Sequence, residues 1–283
     1  MNEKDFEIEV SNYIKGAFLE FSEFKKYIFN FFSVFHQICM KHGIKYYYAY
    51  GSLLGAVRDG GMIPWDADID VLVRVDDMKK LIGFLQKELP SEYYVVSNFI
   101  DKNYYLCETR ICSTKYDSDI VHLDIFYLIG SPNNDLKRNH FSKRVRRFFY
   151  NRALRFQPIK KGNTSRDRLV YYIKKMLRVF LGLKPNWFFN KQCENMLFKY
   201  SINDSNNWIV WASKGFAFPN EIFEPAVLSN VCGMDCIFPH DSSTFLKLSY
   251  GNYSEYLPIS DRFMEFYQGY ISFHNSRVSS IET

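Results

Sequence analysis

The chain has 283 residues with a formal net charge of +5, from 36 basic and 31 acidic side chains. At 47% hydrophobic and 24% charged it is an ordinary globular mixture, which excludes wholesale disorder and gives one large domain or one domain with an attachment. Its 6 cysteines are too few for a disulfide scaffold at this length, and their spacing lacks a zinc knuckle's two-residue spacer, so reduced core thiols are expected.

The first residues, MNEKDFEIEV, contain no apolar core of a signal peptide, and no run of about 18 apolar residues follows, so a cytoplasmic protein is expected. Residues 15–42 predict one long helix, with Phe18, Phe21, Phe24, Ile28, Phe31, Phe32 and Phe35 recurring at three and four, and Gly43 ends it. A strand at 44–50 and a turn at Gly51-Ser52 come next. A short helix follows, stopped by Gly60-Gly61. Further strands are predicted at 69–75, 93–99, 104–113 and 120–128, with a helix at 76–89. Two basic helices, a helix near 187–200, strands near 208–212 and 232–238, and helices near 241–250 and 260–274 complete the chain.

Charge is unevenly distributed. Lys137 to Arg178 carries fifteen Lys or Arg against one acid, Asp167, a surplus of fourteen, leaving −9 for the remainder. Within it, Phe141, Val145, Phe148 and Phe149 keep helical spacing, as do Leu169, Tyr172, Ile173, Met176, Leu177 and Phe180. Two basic amphipathic helices suit an anionic membrane surface. A solvated face packed on its own domain and nucleic-acid binding stay open, the apolar stripe favouring lipid over nucleic acid.

The stretch GSLLGAVRDGGMIPWDADIDVLVRV, residues 51–75, carries the most chemistry. Asp66, Asp68 and Asp70 alternate, and residues two apart share a face of a strand. Two such charges about 4 Å apart repel by roughly 4 kcal/mol at an effective dielectric near 20, so protons, Arg or a hard cation must offset them. Oxygen-only ligands favour Mg²⁺ or Mn²⁺. Asp124, alone among apolar residues in IVHLDIFYLIG, supplies the third carboxylate if its strand lies beside 69–75. Its neighbour His122 is read as turned to the opposite face, outside the site. Ser52, with Gly51 allowing close backbone approach, is a candidate phosphate contact.

Gly-Ser, then Asp-x-Asp, then a lone strand Asp is the layout of the polymerase-β-like nucleotidyltransferase fold. More specifically, Gly51, Ser52, Leu53, Leu54, Gly55, Arg58, Ile63, Pro64, Trp65, Asp66, Asp68 and Asp70 resemble the signature of the LicD family, which includes bacterial phosphorylcholine transferases. The likeness continues through Arg110, through Asp124 in HLDIF, and through the Tyr-Gly-x-Tyr of Tyr250 to Tyr253. Ala67 replaces a frequent Asp, and Asp59-Gly60 stand where His and Lys are common, so one basic contact to the donor is expected to be missing.

The resemblance implies an α+β fold: a nucleotidyltransferase core of small mixed sheet and helices, with an N-terminal helix, a basic helical insert and C-terminal helices. It divides the chain into an N-terminal helical segment at 1–43, the catalytic core at 44–130, the insert at 131–200 and a completing part at 201–283. It also implies an enzyme that moves a substituted phosphate, phosphocholine first, from a CDP-activated donor to a sugar hydroxyl of a glycan or glycolipid, releasing CMP. Lipopolysaccharide, teichoic acid and capsule are the acceptors it suggests. On this reading Asp68, Asp70 and Asp124 hold the metal, and Asp66 is a further ligand or base. Gly51, Ser52, Arg58, Arg110 and Trp65 hold the donor. The Tyr-Gly-x-Tyr motif packs the C-terminal helices on the sheet. The protein would work peripherally at the inner face of the plasma membrane through 137–178, nucleic acid being disfavoured. Transfer of a glycerol-, ribitol-, ethanolamine- or sugar-phosphate, nucleotidyl transfer to a small molecule or RNA, and a membrane-associated scaffold are the rival readings.

Overall fold

The computed structural model describes residues 25–63, 66, 68–101, 104, 106, 108–115, 122–156, 159, 164–212, 214–258 and 261. The chain divides into two compact units: residues 1–96, 109–126 and 220–283, and residues 97–108 and 127–219.

The first unit is a mixed layer of helix and sheet, as the alternation of periods predicts. Strands β1 (Tyr46–Tyr48), β2 (Ile69–Arg74), β3 (Tyr93–Val96), β4 (Thr109–Ser113) and β5 (His122–Gly130) lie in the order β1-β2-β5-β4-β3. β5, which passes from this unit into the other, is buried along nearly its whole length, and its hydrophobic run suits a central position. It pairs antiparallel with β4, setting Arg110 directly across from Asp124.

Helix α1 (25–42) covers this sheet with the aromatic stripe its periodicity predicts; the part expected at 15–24 lies outside the described residues. Phe31, Phe32 and Phe35 are no more than 1% exposed. Phe32 meets Tyr46 and Tyr48 edge-on at 5.8 and 5.1 Å, and Phe31 meets Tyr93 at 4.4 Å. Such aromatic pairs add about 0.5–1.5 kcal/mol beyond the area they bury. Helix α3 (Val75–Glu88) buries Met78, Leu81, Ile82 and Leu85, and the acids Asp76 and Asp77 in its first turn complement the helix dipole. A hairpin of β8 (Val227–Val231) and β9 (Met234–Phe238) also packs here, with Phe238 stacked on Tyr48 at 5.7 Å. Helix α7 (Ser242–Tyr250) is capped by the Asp241 carboxylate, which accepts the Thr244 amide at 2.9 Å. The helix expected at 260–274 falls almost wholly outside the described residues.

The second unit holds the far end of β5, strands β6 (Asn207–Trp211) and β7 (Ala217–Pro219), and helices α4 (Asp135–Phe156), α5 (Ser165–Gly182) and α6 (Asn186–Leu197). α4 buries Phe141, Val145, Phe148 and Leu154, with Phe148 and Phe149 against Trp211 at 5.5 and 5.1 Å. The apolar stripe of the first basic helix is therefore core.

Cys39, Cys112, Cys193, Cys232 and Cys236 form no disulfide, and Cys107 lies outside the described residues. No helix among the described residues is long and apolar enough to cross a membrane.

Candidate active site

The chain leaves β1 at Ala49, whose amide donates to the Asp70 carbonyl at 3.1 Å, and enters helix at once: α2 runs Tyr50–Leu54 and widens into a π-helical turn, Gly55–Asp59. Gly51-Ser52 therefore lies inside the first helical turn, and the helix opens at Tyr50, ahead of the turn expected at Gly51-Ser52. Tyr50 absorbs the change of direction with a φ of 45°, a left-handed value that costs a non-glycine residue about 1–3 kcal/mol. Phe126 edge-on at 5.7 Å and Phe245 at 5.9 Å hold its ring. Gly60, at φ 75°, ends the π-turn where the sequence predicts a stop.

This entry places the small residues of the motif against the acids. The buried Ser52 hydroxyl accepts the Asp70 amide at 2.9 Å, pinning the first turn of α2 to the start of β2. At Gly51, an added Cβ would stand 2.5 Å from Asp66 Oδ2. Only glycine leaves room for that carboxyl. Pro64, Trp65 and Ala67 lie outside the described residues, so the expected Trp65 contact does too.

The acids are electrostatically coupled. Burial raises the Asp68 carboxyl above its usual range; a hydrogen bond with the Asp66 carboxyl opposes this, and the Asp124 charge adds to it. Burial also pushes Asp124 upward, but His122 and Arg110 outweigh it and hold that carboxyl below the usual range. Arg110 Nε donates to Asp124 Oδ1 at 2.7 Å, and His122 Nε2 lies 3.6 Å from Asp124 Oδ2. The expectation that His122 faces away is thus corrected: residues two apart on a strand share a face, so 122 and 124 point together.

Tyr250, at the end of α7, is a second residue whose place the sequence left to packing. Burial and the charges of Asp70, Asp66 and Asp68 push its phenol upward. The Tyr-Gly-x-Tyr motif thus places a phenol in the field of the carboxylates. Asp70 also acts on the Tyr50 phenol, which burial pushes upward.

Arg58 makes a local cluster. Its Nε and Nη2 donate to the Asp59 carboxylate at 3.1 and 2.9 Å, its guanidinium lies 4.3 Å from the centre of the Tyr256 ring, and the Tyr256 hydroxyl donates to Asp59 at 2.7 Å. The acid at 59, where a base is common in the family, serves here as the partner that orients Arg58.

Among the described residues no three Asp, Glu, His or Cys side chains are gathered into a ready metal cage. The donor chemistry nonetheless suits a hard divalent ion. Asp66 and Asp124 both act on the Asp68 carboxyl, and Arg110 engages Oδ1 of Asp124 while His122 lies nearer Oδ2.

The model of the LicD/FKTN/FKRP nucleotidyltransferase domain matches residues 43–163, a span that includes every acid and arginine just described. The lipopolysaccharide cholinephosphotransferase LicD of Haemophilus influenzae is 24% identical over 251 residues, 82% of this chain and 91% of that protein. An uncharacterized protein of Rickettsia prowazekii is 32% identical over 128 residues, 44% of this chain and 42% of that one. One from Rickettsia typhi is 35% identical over 75 residues, 26% of this chain and 23% of its own length. The signature from Gly51 to Asp70, the Arg110–Asp124 pair set across β4 and β5, and these matches agree: over residues 43–163 the chain carries a nucleotidyltransferase domain of the LicD/FKTN/FKRP type.

Proposed function

We propose that this protein transfers phosphocholine from CDP-choline to a sugar hydroxyl of lipopolysaccharide or a related glycan, releasing CMP. In this reading the α+β unit is a nucleotidyltransferase core. The observation that carries the reading is the coupling of Asp68 to both Asp66 and Asp124, beside Arg110, in a chain whose relative over 82% of its length is named a lipopolysaccharide cholinephosphotransferase.

The bond broken joins the choline-bearing phosphorus to the bridging oxygen of the pyrophosphate. The bond formed joins that phosphorus to the acceptor oxygen, whose proton must leave. Asp68, Asp70 and Asp124 would hold Mg²⁺ or Mn²⁺, which when bound neutralises phosphate charge and lowers the acceptor hydroxyl's pKa. Asp66, whose carboxyl lies against Gly51, would take the proton or complete the ligand set. Ser52 fixes Asp70 through its backbone. Arg110 orients Asp124 and supplies positive charge beside it. Arg58 serves the donor phosphates through a planar fork that Asp59 and Tyr256 hold in place.

The test is incubation of the purified chain with lipopolysaccharide and, separately, CDP-choline, CDP-ethanolamine, CDP-glycerol, CDP-ribitol or a nucleoside triphosphate, with the glycan read by mass spectrometry. A phosphocholine increment with CDP-choline is expected. An increment with a different donor reassigns the substituent, and attachment of a nucleotide overturns the reading.

A further inference from the structure

The two basic helices of the insert share a composition and part in structure. α4 turns its apolar side inward. α5 does the reverse: Leu169, Tyr172, Met176, Val179, Phe180 and Leu183, the last just beyond the helix, are each between 55% and 73% exposed. At 3.6 residues per turn these six fall within about 100° of the helix circumference. The side turned to α4 is tied to it by polar contacts. Arg178 Nε donates to the Leu154 carbonyl at 2.7 Å, and Arg155 of α4 donates back to the carbonyls of Leu181 and Lys184. α5 is thus an amphipathic helix mounted with its apolar face outward. The mounting is specific, since these backbone contacts hold the helix by its polar side.

We infer that the outward face of α5 is a docking surface for an anionic lipid bilayer, on which the helix lies parallel to the membrane plane. The charge distribution selects this occupant. Arg168 and Lys175 border the apolar strip on one side and Arg166 and Lys184 on the other, all exposed, within a segment, 137–184, that carries sixteen Lys or Arg against one acid. A strip of large apolar side chains edged by bases is the pattern that enters the headgroup boundary, the apolar residues inserting and the bases meeting lipid phosphates. Nucleic acid would use the bases and leave the strip in water. A second copy would bring an equal positive surplus against this one. The helix spans about 27 Å at 1.5 Å per residue, too short and too charged to cross a bilayer but long enough to lie on one. The surface stands apart from the transfer reading: it follows from exposure and charge in the second unit alone.

Co-sedimentation of the full chain with vesicles tests it, using phosphatidylcholine alone and phosphatidylcholine with about a third phosphatidylserine. The chain should pellet with the anionic vesicles and stay in solution with the neutral ones, and raising salt from about 0.1 M to about 1 M should release it. The double substitution Met176→Ser/Phe180→Ser should lower apparent affinity by at least roughly tenfold. Replacing Arg166, Arg168, Lys175 and Lys184 with Gln should weaken binding to the anionic vesicles only. All six side chains are exposed, so the melting temperature should be unchanged, and that control separates lost docking from lost folding. Equal pelleting of the serine variant overturns the inference, as does failure of the wild-type chain to pellet. So does a wild-type dimer in light scattering that the serine variant converts to monomer, because the face would then belong to a second copy.

Discussion

Asp124 shows how the carboxylates of this site divide their labour. Arg110 and His122 keep it ionised while burial works the other way, whereas Asp68 is pushed toward protonation and shares a hydrogen bond with Asp66. Asp68→Asn, Asp70→Asn and Asp124→Asn should therefore each lose transfer by several orders of magnitude, about 4 kcal/mol or more of transition-state stabilisation, measured as kcat/KM. Chelation should abolish activity and added Mg²⁺ or Mn²⁺ restore it; turnover undiminished in chelator contradicts the metal assignment. Gly51→Ala is a finer probe. Its methyl would stand 2.5 Å from Asp66 Oδ2 and must displace that carboxyl, so kcat should fall about tenfold or more with little change in melting temperature. Retained kcat in that variant would remove Asp66 from the reaction. At this scale much was legible in sequence: the alternation of Asp66, Asp68 and Asp70 and the isolation of Asp124 mark the acids without coordinates. His122 was legible by the same period-two rule and was set on the wrong face. Tyr250 was not legible as a site residue, because only the packing of α7 puts its phenol in the field of acids some 180 residues earlier in the chain.

The elements that carry these residues are held by aromatic packing and a few charged ties. Phe32 is fully buried between α1 and β1, so Phe32→Ala should cost about 3–5 kcal/mol in chemical denaturation, a cavity penalty with no polar compensation. Glu224 ties the chain ahead of β8 to Lys45 at 2.8 Å and to the Tyr47 hydroxyl at 2.6 Å. Burial would raise its carboxyl, yet these two bonds overcome that and hold it below the usual range. A carboxyl depressed in the folded state stabilises the protein above its unfolded pKa, near 4.3, and loses that contribution as pH falls through the folded value. Glu224→Gln should thus melt earlier than wild type at neutral pH, and the gap should close below about pH 4. A gap that persists in acid would mean that the tie works through shape and not charge. Elements with strong periods, such as α1 and α3, were legible. β7 and β8 were not: β7 has three residues, and in β8 the adjacent Val227 and Leu228 are both exposed, so no alternation marks it.

Across the whole chain, the basic segment shows where periodicity stops being informative. A 3.6-residue period states that a helix has an apolar side and is silent on whether that side meets core or surroundings. α4 and α5 read alike, and only the structure separates a helix whose Phe148 lies on Trp211 from one whose Phe180 is 60% exposed. The division of the chain was equally hidden. Residues 97–108 join the later unit and 220–283 the earlier one, a crossing of the sequence that no linker composition signals. The family motif, by contrast, needed no coordinates, because its residues lie close together from 51 to 70 and their chemistry is local. In the proposed function, the carboxylates of this motif move phosphocholine onto a glycan. CDP-choline carrying isotopically labelled choline tests this, with wild type compared with Asp124→Asn on lipopolysaccharide. Label in the glycan matched one for one by released CMP, and absent with the variant, is the predicted result. CMP released without labelled glycan, or label incorporated equally by the variant, would contradict it.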